Sequence, residues 1–468
     1  MKSGINLQRR FLQFFILVSL LISRAFADKY LVTNTGDSGA GSLRQAMLDA
    51  DAHAGPDTIV FNIPEGVAGH DADVGIWVIK PLSALPSLDS DSTVIDGTTQ
   101  ALFVGGDPNS KGPEIVIDGT NAGSTSGIMI NSSYNIVKGI VIYNFNNSQI
   151  SIYGSYNRVT GCYIGPDFSG EAAGSSTTHG IFLGVGSSYN IIGGPDHSDR
   201  NIISGNGYSG IEIRSSHYNH IEGNFIGMDR SGVDTLGNGT LGVDVGMESK
   251  HNVIGPGNII TGNANYGILF SQSGTDSNRV VGNFIGTDSS GTLVFRKQSY
   301  GIYMHDKVCH NVIGGTSPEE RNVICGNTIV GVYIYGDSTD WNEIVGNYIG
   351  INSSGTDTLS NGNSGISIYN GPSHNTIGPG NVISGNRGNG IVIKYEGSDS
   401  NVVIGNIIGL DPGGTIDMGN KYNGIYIFQA SYNLIGGTLP EHRNTISGNG
   451  SSGIYIYIQP LPHRIQIE

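Results

Sequence analysis

The sequence predicts an all-β fold, a right-handed parallel β-helix of about 12 coils with a small N-terminal cap containing one short helix. Three observations predict it. A phrase of the form Gly-Ile-x-Ile returns along the chain, as Gly180-Ile181-Phe182-Leu183, Gly210-Ile211-Glu212-Ile213, Gly301-Ile302-Tyr303-Met304, Gly331-Val332-Tyr333-Ile334 and Gly424-Ile425-Tyr426-Ile427. Each phrase is followed by an Asn-x-Ile run and then by a segment such as Asn201-Ile202-Ile203 or Asn224-Phe225-Ile226. The turns between these runs are rich in Gly, Asn and Asp. A repeat of roughly 25–34 residues is a unit that cannot bury its apolar face alone and must stack on copies of itself.

The elements follow in chain order. Residues 1–27 read as a secretory signal. Lys2, Arg9 and Arg10 precede an apolar run from Phe11 to Ile22, and Ala25-Phe26-Ala27 supplies the small residues of a cleavage site. That run is about 12 residues, short of the ~20 needed to span a bilayer, and no later segment is apolar enough to cross a membrane. A secreted or cell-surface location is expected. Removing the segment takes four basic residues and no acid, so the net charge of −15 becomes −19. Such a surface disfavours nucleic acid and repels acidic polysaccharide unless a divalent cation bridges the two.

Residues 28–125 are non-repetitive and read as a capping segment. Ser42-Leu43-Arg44-Gln45 is a capping-box pattern, and Leu43, Ala46, Met47 and Ala50 recur at helical spacing, which predicts a helix from about Leu43 to His53. Thr58-Ile59-Val60-Phe61, Ile76-Trp77-Val78-Ile79 and Thr93-Val94-Ile95 read as short strands. Residues 126–468 carry the repeats, with coils beginning near Gly127, Gln149, Gly180, Gly210, Gly242, Gly267, Gly301, Gly331, Gly365, Gly390, Gly424 and Gly453. At the ~4.8 Å strand spacing twelve coils make a rod roughly 55 Å long. The last coil runs into Gln459-Pro460-Leu461-Pro462 with no evident cap.

Two asparagine columns recur, one running from Asn135 to Asn433 and one from Asn201 to Asn444. Stacked amides hydrogen-bond along such a rod, so these residues are expected to hold the fold. Cys162, Cys309 and Cys325 make no disulfide framework in a chain this long and read as small residues in the stack.

These repeats resemble the right-handed parallel β-helix proteins of the pectate-lyase-like superfamily. Gly41-Ser42-Leu43-Arg44-Gln45-Ala46, followed by Asp57-Thr58-Ile59-Val60-Phe61, is similar to the N-terminal module of secreted bacterial β-helix proteins. The resemblance covers nearly all of the chain after residue 27 and implies the right-handed winding. The superfamily holds lyases, hydrolases, epimerases and adhesins, and its lyases use Ca²⁺-bridging carboxylates with a basic residue on a β-helix face. The paired aspartates and Gly-His-Gly of polygalacturonases are missing here, as is the Asp-Pro-His-Asp run of alginate epimerases.

Period-2 alternation points the two Ile-type positions inward and the x between them outward. Glu212 and Asp244 then face the same way on successive coils, with Arg214 alongside. Carboxylates ~5 Å apart share a proton, bind Ca²⁺ or match the geometry of a retaining glycosidase; two acids beside one Arg also arise by chance on an outward face. On the same face lie Tyr303, Tyr333, Tyr335, Tyr369, Tyr426 and Tyr457, with Phe428 and Tyr455. Such rings suit stacking on pyranose sugars, and equally pack as ladders on a sheet. Ile-Gly-x-Asp turns at Asp167, Asp229, Asp288 and Asp411 read as Asx-turns or weak Ca²⁺ sites. His70-Asp71-x-Asp73 reads as a solvated loop. No phosphate loop, zinc spacing or Ca²⁺-roll array is present, and no cofactor is expected beyond a candidate Ca²⁺. The function expected is a non-catalytic rod binding polysaccharide or a cell-surface glycan through its aromatic face; the alternative is a polysaccharide lyase or glycoside hydrolase using Glu212, Asp244 and Arg214.

Overall fold

A computed structural model describes residues 28–53, 55–457 and 464–468. The signal segment and the Gln459–Pro462 stretch lie outside the described residues. Three long sheets of 15, 12 and 14 strands run the length of the chain, and the chain is a right-handed parallel β-helix. The first sheet is the Gly-Ile-x-Ile sheet, with twelve strands from Ile128–Ile130 to Ile454–Tyr457. Its coils stack without offset, Ile181 on Ile211, Ile211 on Val243 and Ile302 on Val332. The inward residues therefore form buried columns along the axis, down to the last coil, where Ile454 and Ile456 are only partly buried.

The glycine opening each phrase has a steric cause. A Cβ at Gly180 would lie 2.6 Å from the carbonyl oxygen of Gly210, and at Gly301 2.6 Å from that of Gly331. Neighbouring coils approach too closely there for any side chain.

The front of the chain continues two of the three sheets. Strands Asp28–Val32, Asp57–Phe61 and Thr93–Asp96 extend the Asn-x-Ile sheet, and Ile76–Ile79 and Ile115–Asp118 extend the third. Helix α1 (Leu43–Ala52) buries the predicted face of Leu43, Ala46, Met47 and Ala50 in the core. Only half of the capping box forms. Ser42 Oγ accepts from the Gln45 N–H at 3.1 Å, but the Gln45 side chain donates forward to Asp49. The expected short helix is joined by a second, α2 (Thr99–Val104), which ends on Gly105 at φ 80°. At six residues it is too short to show helical periodicity.

Both asparagine columns form buried ladders. The Asn190 N–H and side-chain amide donate to Asn219 Oδ1 at 2.9 and 3.0 Å, and the amide also reaches the Gly154 carbonyl of the coil before. In the second column Cys162, standing where other coils have Asn, donates its N–H to Asn201 Oδ1. A third ladder, not expected from the sequence, runs through Asn206, Asn238, Asn263, Asn327, Asn361, Asn386, Asn420 and Asn449. Gln298 occupies its Asn263–Asn327 step and donates to Asn327 Oδ1 at 2.8 Å. All three cysteines are free thiols; Cys162 and Cys325 are buried and Cys309 is partly exposed.

Candidate functional site

Glu212 and Asp244 pair directly across adjacent strands of the first sheet. Arg214 bridges them, with Nε 2.5 Å from Glu212 Oε1 and Nη2 2.5 Å from Asp244 Oδ2. Gly246, the in-register partner of Arg214, makes this possible, since a Cβ there would lie 2.0 Å from Arg214 Nη1. A fourth member, absent from the sequence reading, is His179. Its Nε2 lies 2.5 Å from Glu212 Oε2 and its Nδ1 2.6 Å from Ser209 Oγ.

Although outward on the strand, both acids are buried, Asp244 to 1% exposure. Burial works to raise the Glu212 carboxyl, but the His179 hydrogen bond and the charges of His179 and Arg214 outweigh it, and its pKa is lowered. For Asp244 burial wins over Arg214, and its pKa is raised. Arg214 commits both arms to carboxylates, so the group is a closed ionic lock. Neither acid stands open to solvent as an unpaired base.

The tyrosines share one face, as expected, but most of their ring faces are covered by one another. Tyr303 stacks on Tyr333 at 5.2 Å between centroids, and both stack on Tyr300; Tyr266 closes the cluster against Tyr300 and Tyr303. Tyr369 and Tyr426 surround the Lys394 ammonium, 5.7 and 5.0 Å from their centroids. Burial lowers the pKa of that amine. Tyr457 stacks on Phe428 at 5.1 Å. Tyr335 is open at the rim.

Beside it lies an open groove of about 580 Å³, walled by Tyr335 and Tyr395, with Asp337, Asn370, Glu396 and Gln429 on its sides. The Asn370 amide donates to Tyr335 Oη at 3.1 Å. Apart from Tyr335, sequence reasoning missed these residues. They sit in turns after the strand phrase, and Asn370, Tyr395 and Gln429 hold left-handed backbone at φ 59, 74 and 52°. The signal available was one such turn per coil.

A second cleft, of about 560 Å³, lies at the front, between the 98–114 stretch and the third sheet. It gathers Lys111, Arg200, Arg230 and His197 around Tyr163 and Glu114. Lys111 and Arg230 pair with Glu171 at 3.0 and 3.1 Å, and Arg200 lies over the Phe225 ring. Burial, helped by neighbouring Asp107, pushes Glu114 up to about 7.

The lesser motifs are accounted for locally. Asp167, Asp229, Asp288 and Asp411 accept backbone N–H groups of their own turns. His70 stacks on Trp77 and accepts from the Gly66 N–H. Among the described residues no helix is long and apolar enough to cross a membrane.

No protein-family profile matches the chain, and no curated protein matches it by sequence. Solved structures do resemble it. A periplasmic alginate epimerase, a mutant of AlgG, is 16% identical, with 85% of this chain and 79% of that one covered and a TM-score of 0.45. The A-module of the mannuronan C-5 epimerase AlgE4 of Azotobacter vinelandii is 14% identical over 94% of this chain and 100% of its own, at 0.43. Pectate lyase Pel9A is 13% identical over 75% and 79%, at 0.35. The fold rests on the three parallel sheets of the chain itself, and likeness at this level carries no chemistry across.

Proposed function

We propose that the protein is a non-catalytic rod, displayed outside the cell, that binds a neutral glycan in the groove between Tyr335 and Tyr395. The observation that supports this most is the groove's composition. Two exposed aromatic rings offer flat apolar bodies, and two carboxylates and two amides beside them offer acceptors and donors for sugar hydroxyls. Asp337 and Glu396, on a chain of net charge −15, disfavour uronates and favour uncharged hexose chains. The Tyr303–Tyr333 stack supports the groove rather than contacting ligand. A glycan array followed by calorimetry on wild type and the Tyr335→Ala/Tyr395→Ala double variant tests this. Selective binding of neutral glycans, lost in the variant, supports it; equal binding by both proteins overturns it.

The alternative is a lyase or hydrolase at Glu212, Asp244 and Arg214, favoured by the in-register carboxylates and by His179 on Glu212. Reducing-sugar and 235 nm unsaturated-product assays, with and without Ca²⁺, decide it. Turnover lost in both Glu212→Gln and Asp244→Asn would establish the enzyme.

A further inference from the structure

The geometry points to a divalent transition-metal site, of the kind that takes Zn²⁺, formed by Asp28, His53 and Asp57 at the front of the rod. Three different elements bring these residues together. Asp28 opens the edge strand of the 15-stranded sheet, His53 is the C-cap of α1, and Asp57 opens the next strand, in register with Asp28. One ligand atom from each lies within 4.8 Å of the other two. His53 Nδ1 is 2.9 Å from Asp57 Oδ1, and its Nε2 is 3.3 Å from Asp28 Oδ2.

A second observation is independent of that clustering. The Asp57 side chain is fully buried, and its Oδ2 has no hydrogen-bond partner. A buried carboxylate oxygen without a donor is rare, because the desolvation it suffers goes uncompensated. A protonated His53 held between the two acids satisfies Asp57 Oδ1 and still leaves Oδ2 bare. A cation seated against the carboxylate serves both oxygens.

The donor set selects the ion. Imidazole with two carboxylates suits Zn²⁺ and its neighbours, whereas Ca²⁺ and Mg²⁺ take oxygen alone. The site is also reachable, because the Asp28 side chain is 57% exposed and that of His53 39%. Turning Asp28 inward closes the spread toward the ~2 Å bonds that zinc makes, with water completing the sphere. A bound ion would tie the unpaired edge strand, the end of α1 and the second strand into one unit. It would thereby tie down the unpaired edge strand at the front of the rod, the kind of edge that invites edge-to-edge association.

The test uses tag-free protein stripped with a chelator and titrated calorimetrically with ZnCl₂, with CoCl₂ as a spectroscopic probe. One equivalent of Zn²⁺ should bind and raise the unfolding midpoint, and Co²⁺ should give the visible band of a low-symmetry N/O site. Affinity should fall by at least ~100-fold in His53→Gln and in Asp57→Asn, since even outer-shell losses reach that size. Should Asp57→Asn not fold, the exposed Asp28→Asn decides by the same criterion. No stoichiometric binding by wild type overturns the site and leaves His53 as a contact between the two acids only. Unchanged Co²⁺ binding in His53→Gln, or Ca²⁺ displacing Zn²⁺ at equal concentration, overturns it too.

Discussion

Two aromatic columns run along the same rod and behave differently. One lies at the turn just before the first asparagine ladder: Tyr134, Tyr156, Tyr189, Tyr218 and His251 stack at 4.8–5.0 Å with planes within 13° of parallel. Each of these residues holds left-handed backbone, φ 56–62°, immediately before a buried Asn. The other is the aromatic field of the first sheet, where interplanar angles range from 8° for Phe428–Tyr457 to 63° for Tyr333–Tyr369. The turn column inherits one geometry from the asparagine beneath it and repeats it coil after coil. The strand field has no such template, so its rings tilt apart, enclose Lys394 and open into the groove at Tyr335 and Tyr395. Where the backbone dictates the ring, the column is structural; where it does not, space for a ligand appears.

The strongest way to break the strand-face side is at its front margin, in the ionic lock. Arg214→Met strands the buried Asp244 carboxylate and leaves Glu212 to His179 alone, and loss of one partner of a buried pair costs about 3–5 kcal/mol. Denaturant unfolding should show the loss, and a variant as stable as wild type would mean that the acids are hydrated after all. The lock also predicts a pH effect. Folding lowers the Glu212 pKa, so its contribution is present above the ordinary carboxylate range and disappears as pH falls through the folded value. The raised Asp244 runs the opposite way, losing stability as pH rises. The wild-type minus Glu212→Gln stability difference should therefore shrink between pH 6 and pH 3. A constant difference would contradict this.

The turn column should break next most severely through its foundation. Asn252 Oδ1 accepts from the Asn219 N–H and amide at 2.9 and 3.0 Å, and its own amide donates to Ser216 O and Asn278 Oδ1. Asn252→Ala leaves buried groups unpaired at roughly 1–3 kcal/mol each, for a loss of about 2–4 kcal/mol. The Tyr218–His251 stack should loosen with it, which near-ultraviolet circular dichroism reads.

The same contrast explains what the sequence disclosed. The Gly-Ile-x-Ile phrase is legible because its cause is local and repeated, the carbonyl of the next coil standing where a Cβ would go. Glu212, Arg214 and Asp244 are legible because strand alternation and in-register stacking are enough to place them. His179 is not, since it precedes the phrase and acts one coil away. The third ladder hides because Asn206 and Asn263 follow a Gly inside Ser/Thr-Gly-Asn while Asn238 sits in Leu236-Gly237-Asn238, and because Gln298 interrupts it. The groove depends on turns with no strand period to betray them.

Sharpening the functional side, Tyr335→Ala/Tyr395→Ala should lower glycan affinity by about 10–100-fold while changing stability by less than ~1 kcal/mol, as exposed positions usually do. A fall in stability matching the loss of binding would place these rings in the scaffold instead.

The smallest effect is expected from Tyr156→Ala, in the middle of the turn column. Tyr156 stacks on Tyr134 at 5.0 Å and on Tyr189 at 4.9 Å, so two ring contacts go at once. Aromatic pairs contribute about 0.5–1.5 kcal/mol beyond area burial, but this ring is 48% exposed, which places the loss near ~1 kcal/mol. Part of that returns if Gly replaces Tyr156 instead, because the position holds φ 61° and glycine adopts that conformation without strain. Tyr156→Gly should therefore be no less stable than Tyr156→Ala, although glycine is elsewhere the more disruptive change. Glycan binding should be the same in both as in wild type. If either variant loses binding, the turn column belongs to the ligand surface, and the division between a templated ladder and an open field fails at its simplest point.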